Sequence, residues 1–143
     1  MALTIDTSNE FGQRVLSRLN TEQSIWLVTV NGRNEPTPTL VWFLIEGDGT
    51  SALMFSEPHV GKVKSIRNNP NVALNFNSDP YGDNMIILNG TAELLDQPSS
   101  AVCPDAYVEK YKEGMVSLKL TRDQMLAQYS QPIRITFDRL RGH

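Results

Sequence analysis

The sequence predicts a mainly β protein, a six-stranded antiparallel β-barrel with helices packed at its ends. Three observations favour this fold class. Six segments are rich in β-branched and aromatic residues, turn signals such as NGR (31–33) and GDGT (47–50) follow several of them, and helical periodicity is confined to short stretches. The predicted strands span residues 24–30, 36–46, 51–56, 71–76, 84–95 and 132–140.

Helical periodicity is clearest near the N-terminus. Apolar side chains recur there at spacings of three and four, with Ser8 or Asn9 as a plausible N-cap, so an amphipathic helix is predicted over residues 9–19. The residues that carry this pattern are Phe11, Val15, Leu16 and Leu19. Further helices are predicted from about 60 to 68, where NNP ends the segment, and within 105–114 and 121–129.

Composition limits the classes of function that fit the chain. It has 143 residues, the size of one domain, and a formal net charge of −3 without clustered like charges, so nucleic acid is not an expected partner. Cys103 is the sole cysteine, so neither an internal disulfide nor a cysteine-based metal site is expected. The N-terminus shows no signal-peptide pattern and no apolar run is long enough to span a bilayer. We therefore expect a single domain over residues 1–143 in a cytoplasmic protein that does not bind membranes.

Residues 40–45, LVWFLI, are apolar at every position of a predicted strand. Because successive side chains of a strand point to opposite faces, both faces of this segment need cover. One face is the barrel interior. For the other face, which carries Trp42, we favour a second copy of the chain and hence a homodimer. A flat apolar ligand or a helix of the same chain would also cover it.

The segment FSEPHVGKVKSIRNNPNVALNF (55–76) places a hydroxyl and cations between two predicted strands. Ser56 ends a strand and the following helix begins at about Val60, so its free backbone N–H groups point back towards Ser56. Lys62 lies in the first turn of that helix, where a cation is unfavourable unless an anion compensates. Lys62 and Ser56 therefore suggest a phosphate site. A solvated helix face that includes Lys62 and Lys64 would give the same spacing.

The same segment resembles a known family. Ser56, Lys62, the R-x-N-P-x-V pattern at 67–72 and the G-x-A strand at 90–92 resemble the pyridoxamine 5'-phosphate oxidase-like proteins. The stretch PTPTLVWFLIEGDG (36–49) resembles more narrowly their F420- or flavin-dependent oxidoreductase branch. The resemblance implies a six-stranded split β-barrel that dimerises, with two identical flavin or deazaflavin sites in the dimer interface.

The resemblance also implies roles for individual residues. Lys62 matches the lysine that binds the cofactor phosphate, Ser56 matches the hydroxyl residue beside it, and Phe55 continues the wall of the site. Lys64 and Arg67 would reach the phosphate or an acidic tail, or lie at the surface. The strand whose backbone lies along the cofactor ring matches Thr39, Leu40, Val41 and Trp42.

The function that the resemblance implies is hydride transfer between bound F420 or FMN and a small organic substrate. No catalytic side chain is assigned, because such a cofactor carries the hydride itself. The alternative is a non-catalytic flavin-, haem- or tetrapyrrole-binding protein of the same fold. F420 is favoured over FMN, and its acidic tail would require a second cationic patch. Candidates for that patch are Lys64, Arg67, Lys110 and Lys112.

Overall fold

The computed structural model describes residues 3–47 and 49–143, and within them one antiparallel sheet of seven strands carries six helices. Met1, Ala2 and Asp48, the last in the predicted GDGT turn, lie outside the described residues. None of the described helices has the length and apolar composition that crossing a membrane requires. The helices are α1 (Glu10–Thr21), α2 (Gly61–Asn68), α3 (Ser99–Val102), α4 (Asp105–Lys110), α5 (Lys112–Ser117) and α6 (Arg122–Gln128). The strands are β1 (Ile25–Val30), β2 (Pro36–Val41), β3 (Leu44–Glu46), β4 (Ser51–Ser56), β5 (Asn71–Asn75), β6 (Ile86–Leu94) and β7 (Gln131–Gly142).

The strand order explains how the sheet closes. Neighbouring strands follow the order β2-β1-β5-β6-β7-β4-β3, and each neighbouring pair is antiparallel. The two edge strands, β2 and β3, are consecutive in the sequence and are separated only by Trp42 and Phe43. The sheet therefore curls until its edges meet at these two residues, as in the predicted barrel.

The prediction of one strand over 36–46 is wrong, because the strand breaks at Trp42 and Phe43 and the described sheet has seven strands instead of six. The Phe43 N–H donates to the Tyr111 hydroxyl at 2.7 Å, and the Phe43 carbonyl accepts from Lys110 Nζ at 2.6 Å. Since side chains occupy both backbone groups of Phe43, this residue does not continue a strand ladder. The chain thus leaves one edge of the sheet and joins the other.

The barrel interior is filled by alternate residues of the strands. In β1 the side chains alternate between buried and partly exposed, as expected for a strand with one buried face. Helix α1 adds Val15 and Leu19 to this core, and Asn9 caps the helix by accepting from the Gly12 N–H at 2.7 Å. The predicted N-terminal amphipathic helix is therefore confirmed. Fully buried members of the barrel core include Leu27, Phe43, Leu74, Leu88, Ile133, Ile135 and Phe137.

A helical segment, residues 99–128, forms a second apolar cluster beside the barrel. The helix predicted within 105–114 is interrupted at Tyr111, so that α4 and α5 are separate, and α3 was not predicted. The four short helices α3 to α6 lie between β6 and β7 in the sequence and pack against one another. The buried residues of this cluster are Cys103, Tyr107, Tyr111, Met115, Met125 and Leu126.

The helical segment covers Trp42. The Trp42 and Tyr111 rings stack, with centroids 4.3 Å apart and planes inclined by 3°. Gly114 permits this approach, because a Cβ at that position would lie 2.9 Å from the Trp42 ring. One face of the Trp42 ring is thus covered by the same chain, as in the alternative of a covering helix, while the residue stays partly exposed and lines an open cavity. The homodimer stays a prediction.

Candidate functional site

A cavity of about 1070 Å³ opens between β2, the end of β4, the start of α2 and the helical segment. Small-molecule and cofactor sites commonly occupy about 300–1,000 Å³, so this cavity has room for a large ligand. Arg67 is not among its described lining residues. The other residues that the resemblance assigns to the cofactor site all line it: Thr39, Leu40, Val41, Trp42, Phe55, Ser56, Lys62 and Lys64.

One wall of the cavity is the open edge of β2. The hydrogen bond from the Asn31 N–H to the Glu35 carbonyl, 3.1 Å long, fixes which residues of the hairpin bond across the ladder. By alternation, the backbone groups of Pro36, Pro38 and Leu40 face away from β1. Proline has no N–H and is tolerated at such outward positions. The Leu40 N–H is therefore the first backbone donor that this edge presents, and Leu40 lines the cavity.

The same wall contains a buried hydroxyl without a partner. Thr39 Oγ1 is shielded from solvent and makes no hydrogen bond to any described residue. Such a group costs on the order of 1–3 kcal/mol unless a partner is supplied. Thr39 lines the cavity beside Val41, which faces the barrel core. A polar atom of a bound ligand would satisfy this hydroxyl.

The start of α2 forms the cationic part of the cavity. The helix begins at Gly61 after Val60, and no side chain caps it. The backbone N–H groups of Gly61 and Lys62 have no hydrogen-bond acceptor in the described chain, so they remain available to an anion. Ser56 is buried next to them and its hydroxyl donates to the Glu57 carbonyl at 3.0 Å.

Lys62 is partly buried in this wall, and none of the described carboxylates forms an ion pair with it. Burial lowers the pKa of the Lys62 ammonium, and the Glu57 carboxylate partly opposes that shift. A bound anion would raise this pKa again, because it would stabilise the charged form. Lys62 is thus a cation in need of a counter-charge.

The other predicted cations are placed differently. Lys64 lines the cavity, and Arg67 is exposed on the same helix. Lys110 does not line the cavity, since its Nζ donates to the Phe43 carbonyl and lies 3.8 Å from the centroid of the Phe43 ring. Lys112 pairs with Glu109 at 2.8 Å on the surface. The structure therefore leaves Lys64 as the one member of the proposed tail patch beside the cavity.

The helical segment supplies a wall that the sequence did not reveal. Tyr107, Leu118 and Met125 of this segment line the cavity, together with Tyr129 directly after it and Phe55 of β4. The Phe55 and Tyr107 rings meet edge to face, with centroids 4.8 Å apart. A signal was present, because Tyr107, Tyr111 and Met115 recur every four residues, but periodicity identifies a buried face and not what it is buried against.

Charge around the cavity is confined to the segment from Glu57 to Lys64. The lining residues with full charges are Glu57, Lys62 and Lys64, and the helical segment adds none. Within the described ranges, no three histidine, cysteine, aspartate or glutamate side chains come together as a potential metal site. The cavity thus joins a cationic corner to walls that are aromatic, apolar or hydroxyl-bearing.

Three solved structures share this fold with the chain. An F420 reductase is 21% identical, with 87% of this chain and 94% of that protein covered and a TM-score of 0.67. A FAD-binding protein from Mesorhizobium loti is 16% identical, with 90% and 88% covered and a TM-score of 0.63. HutZ, a heme storage protein from Vibrio cholerae, is 10% identical, with 90% and 92% covered and a TM-score of 0.58.

These similarities at low identity establish the fold, which is shared by proteins named for F420, FAD and heme. A comparison with curated protein sequences finds no match. The family described as pyridoxamine 5'-phosphate oxidase matches residues 11–143. Because that match extends over nearly the whole chain, the protein belongs to the pyridoxamine 5'-phosphate oxidase family.

Proposed function

We propose that this protein is an oxidoreductase that binds F420 or FMN in the large cavity and transfers a hydride between that cofactor and a small organic substrate. One observation carries the proposal. A single cavity unites an uncapped helix N-terminus and an unpaired lysine with an open strand edge. A phosphate-bearing ring cofactor needs both kinds of group. The similarity to an F420 reductase and a FAD-binding protein supports this choice.

The residues at the start of α2 fit a phosphate group. The N–H groups of Gly61 and Lys62 lack acceptors among the described residues, and the helix dipole favours an anion there. Lys62 would add a charge-assisted hydrogen bond, and the Ser56 hydroxyl could donate to the phosphate by turning away from the Glu57 carbonyl. Gly61 leaves open space where a Cβ would lie, which gives an anion access to the backbone.

The residues of β2 fit the edge of a polar ring system. The outward N–H of Leu40 and the unpartnered hydroxyl of Thr39 provide hydrogen-bonding groups along one strand. Trp42 is held in the same wall by its stack on Tyr111, so the wall is formed before any ligand arrives. When bound, the flavin or deazaflavin supplies the hydride chemistry. The chain's own contribution is to orient the ring, exclude water and donate hydrogen bonds to it.

Lys64 bears on the choice between F420 and FMN. F420 continues beyond its phosphate into an acidic tail, and Lys64 is the cavity-lining cation available for that tail. We favour F420 for this reason and for the resemblance of residues 36–49. Exposed charge contacts are screened between 50 and 500 mM salt, so F420 should bind more weakly at the higher concentration. An unchanged affinity would contradict a role for Lys64 with the tail.

Haem or another tetrapyrrole is the alternative ligand, because HutZ shares the fold. Haem iron in proteins is usually held by an axial histidine, cysteine, methionine or tyrosine. His59 and His143 are not among the described lining residues, and Cys103 is buried in the helical cluster. Met125, Tyr107 and Tyr129 do line the cavity and are residue types that can bind haem iron. Binding of haem and binding of a flavin or F420 are therefore distinguished by titration.

Titration of the purified protein with FMN, F420 and haemin tests the proposal. We expect saturable binding of FMN or F420 and weak, non-saturating association of haemin, followed by fluorescence and absorption. Tight haemin binding with no affinity for either FMN or F420 would overturn the oxidoreductase proposal and favour the non-catalytic alternative.

The substitution Lys62→Ala tests the phosphate contact. Loss of one charge-assisted hydrogen bond of about 1.5–3 kcal/mol should raise the cofactor dissociation constant roughly ten- to hundredfold. Arg67→Ala is the matched control, because Arg67 is a cation on the same helix outside the cavity lining. Equal and small losses in both variants would show that α2 presents only a solvated cationic face.

The proposal includes a homodimer. Leu40 and Leu118 are each 53% exposed and both line the cavity, so the mouth of the site is an exposed apolar surface. A second copy that covers this mouth would also exclude water from the ring. Sedimentation equilibrium should then give twice the 16.0 kDa mass of one chain, whereas a monomer at all concentrations would contradict this part of the proposal.

A further inference from the structure

Tyr107 on α4 is a buried tyrosine that has no role in the proposed binding of the cofactor. Its side chain lines the cavity and the residue is only 2% exposed. No described residue hydrogen-bonds its hydroxyl, and the oxygen is not among the solvent-shielded polar atoms that lack a partner. The hydroxyl therefore keeps access to the open space of the cavity, where a ligand can supply the acceptor that a tyrosine O–H normally finds.

Tyr111, one helical turn later, shows how a buried tyrosine in this cluster is satisfied. Its hydroxyl accepts from the Phe43 N–H at 2.7 Å and lies 2.7 Å from the Gln23 carbonyl, to which it donates. Tyr111 does not line the cavity among the described residues, whereas Tyr107 does. The two phenols thus differ in purpose: one is fully occupied within the protein and the other faces the space for a ligand.

The surroundings of Tyr107 keep its hydroxyl in the donor form. Burial, and then the proximity of Tyr111, Cys103 and Tyr129, raises the pKa of the Tyr107 phenol far above its usual value. The group is therefore protonated at all physiological pH values and can donate a hydrogen bond. It carries no negative charge with which a phenolate would attract a cationic ligand.

The walls next to Tyr107 define what kind of molecule can accept that bond. Phe55 lies edge-on to the Tyr107 ring, and Leu118 and Met125 add apolar surface. No charged side chain of the helical segment is among the described lining residues, so an ionic group placed there would be desolvated without a counter-charge. A neutral ligand with an oxygen acceptor fits these walls.

We infer that Tyr107 is a substrate-binding residue that donates a hydrogen bond to a carbonyl oxygen of a neutral, flat, largely apolar ring compound. The inference rests on the proposed function, because the substrate must share the cavity with the cofactor. Apolar contacts would supply most of the affinity, and the Tyr107 hydroxyl would fix the orientation of the ring. Substrates with a carboxylate or sulfonate at this end would be excluded.

A pair of probes with and without carbonyl groups tests this inference. We would measure binding of 2-methyl-1,4-naphthoquinone and of 2-methylnaphthalene by calorimetry, with the wild type and Tyr107→Phe, each with and without saturating cofactor. Loss of the donor should weaken naphthoquinone binding about five- to hundredfold and leave methylnaphthalene binding nearly unchanged. Tyr81→Phe is the matched control, since Tyr81 is 93% exposed and lies outside the cavity lining.

The outcomes separate this inference from the proposed function. Equal effects of Tyr107→Phe on both probes, no naphthoquinone binding to the wild type, or equally tight binding of 1,4-naphthoquinone-2-sulfonate would each overturn the assignment of Tyr107. The proposed function fails separately, if the wild type binds neither FMN nor F420. Normal cofactor affinity in Tyr107→Phe together with selective loss of the naphthoquinone would support both.

Discussion

The barrel core and the cluster of the helical segment are two apolar interiors of different kinds. The barrel core consists mainly of aliphatic and phenylalanine side chains, contributed by strands that lie far apart in the sequence. The helical cluster consists of two tyrosines, two methionines, a cysteine and a leucine, contributed by α4, α5, α6 and the residues that connect the short helices. Hydrogen-bonded strand ladders stabilise the structure around the barrel core. The helical cluster depends on side-chain contacts, since isolated helices this short are marginal in water.

This difference assigns separate tasks to the two walls of the cavity. The barrel wall, with β2 and the start of α2, is fixed by the sheet and presents backbone groups. The helical wall presents Tyr107, Met125 and Tyr129, and methionine packing adapts to irregular shapes. A cofactor that is always the same would suit the fixed barrel wall, and substrates that vary would suit the adaptable helical wall.

The sharpest test compares equal truncations in the two interiors. Leu88 is fully buried in the barrel core and Leu126 is buried in the helical cluster. Leu88→Ala should lower the free energy of unfolding by about 3–5 kcal/mol, because the surrounding sheet cannot collapse into the space. Leu126→Ala should cost about 2–3 kcal/mol, since short helices and methionines can relax. Urea denaturation of both variants measures the difference, and equal costs would remove the contrast.

The hydroxyl of Tyr111 is the point where the two interiors are joined. Tyr111→Phe keeps the ring that stacks on Trp42 but leaves the Phe43 N–H without its acceptor. An unpaired buried group costs about 1–3 kcal/mol, so unfolding should become easier by that amount. Thermal denaturation followed by tryptophan fluorescence would show it. If the variant is as stable as Tyr81→Phe, then the break between β2 and β3 does not depend on Tyr111.

Lys110 gives the smallest effect, which is a dependence of stability on pH. Burial lowers its pKa from 10.5 to about 8 in the folded protein, with Glu22 opposing the shift. Between pH 8 and 10.5 the unfolded chain therefore binds more protons, and the free energy of unfolding should rise with pH. Because the side chain is only half-buried, a rise on the order of 1 kcal/mol is expected after screening. The difference in the free energy of unfolding between the wild type and Lys110→Met isolates this rise, because other groups with shifted pKa values, such as Lys62, are common to both proteins. Parallel pH profiles of the two proteins would contradict it.

Local patterns predicted those features that local chemistry determines. Alternation identified the strands, and Asn9 acts as the N-cap that its side chain suggested. Lys62 and Ser56 line one cavity, while their contact with a phosphate stays a prediction. The break at Phe43 depends on Tyr111, which lies 68 residues further along the chain. No pattern within residues 36–46 indicates this break. Tyr107 escaped notice for the same reason, since helical periodicity does not say which space a buried face adjoins.

The two free edges of the sheet have a consequence for aggregation. An exposed strand edge can act as a template that pairs with a strand of another molecule. In β2, Pro36 and Pro38 remove two of the three outward N–H groups, while β3 is only three residues long, Leu44–Glu46. Neither edge therefore offers a continuous row of donors on which a cross-β stack could grow. The protein can keep a strand edge open for a ligand while denying it to another strand.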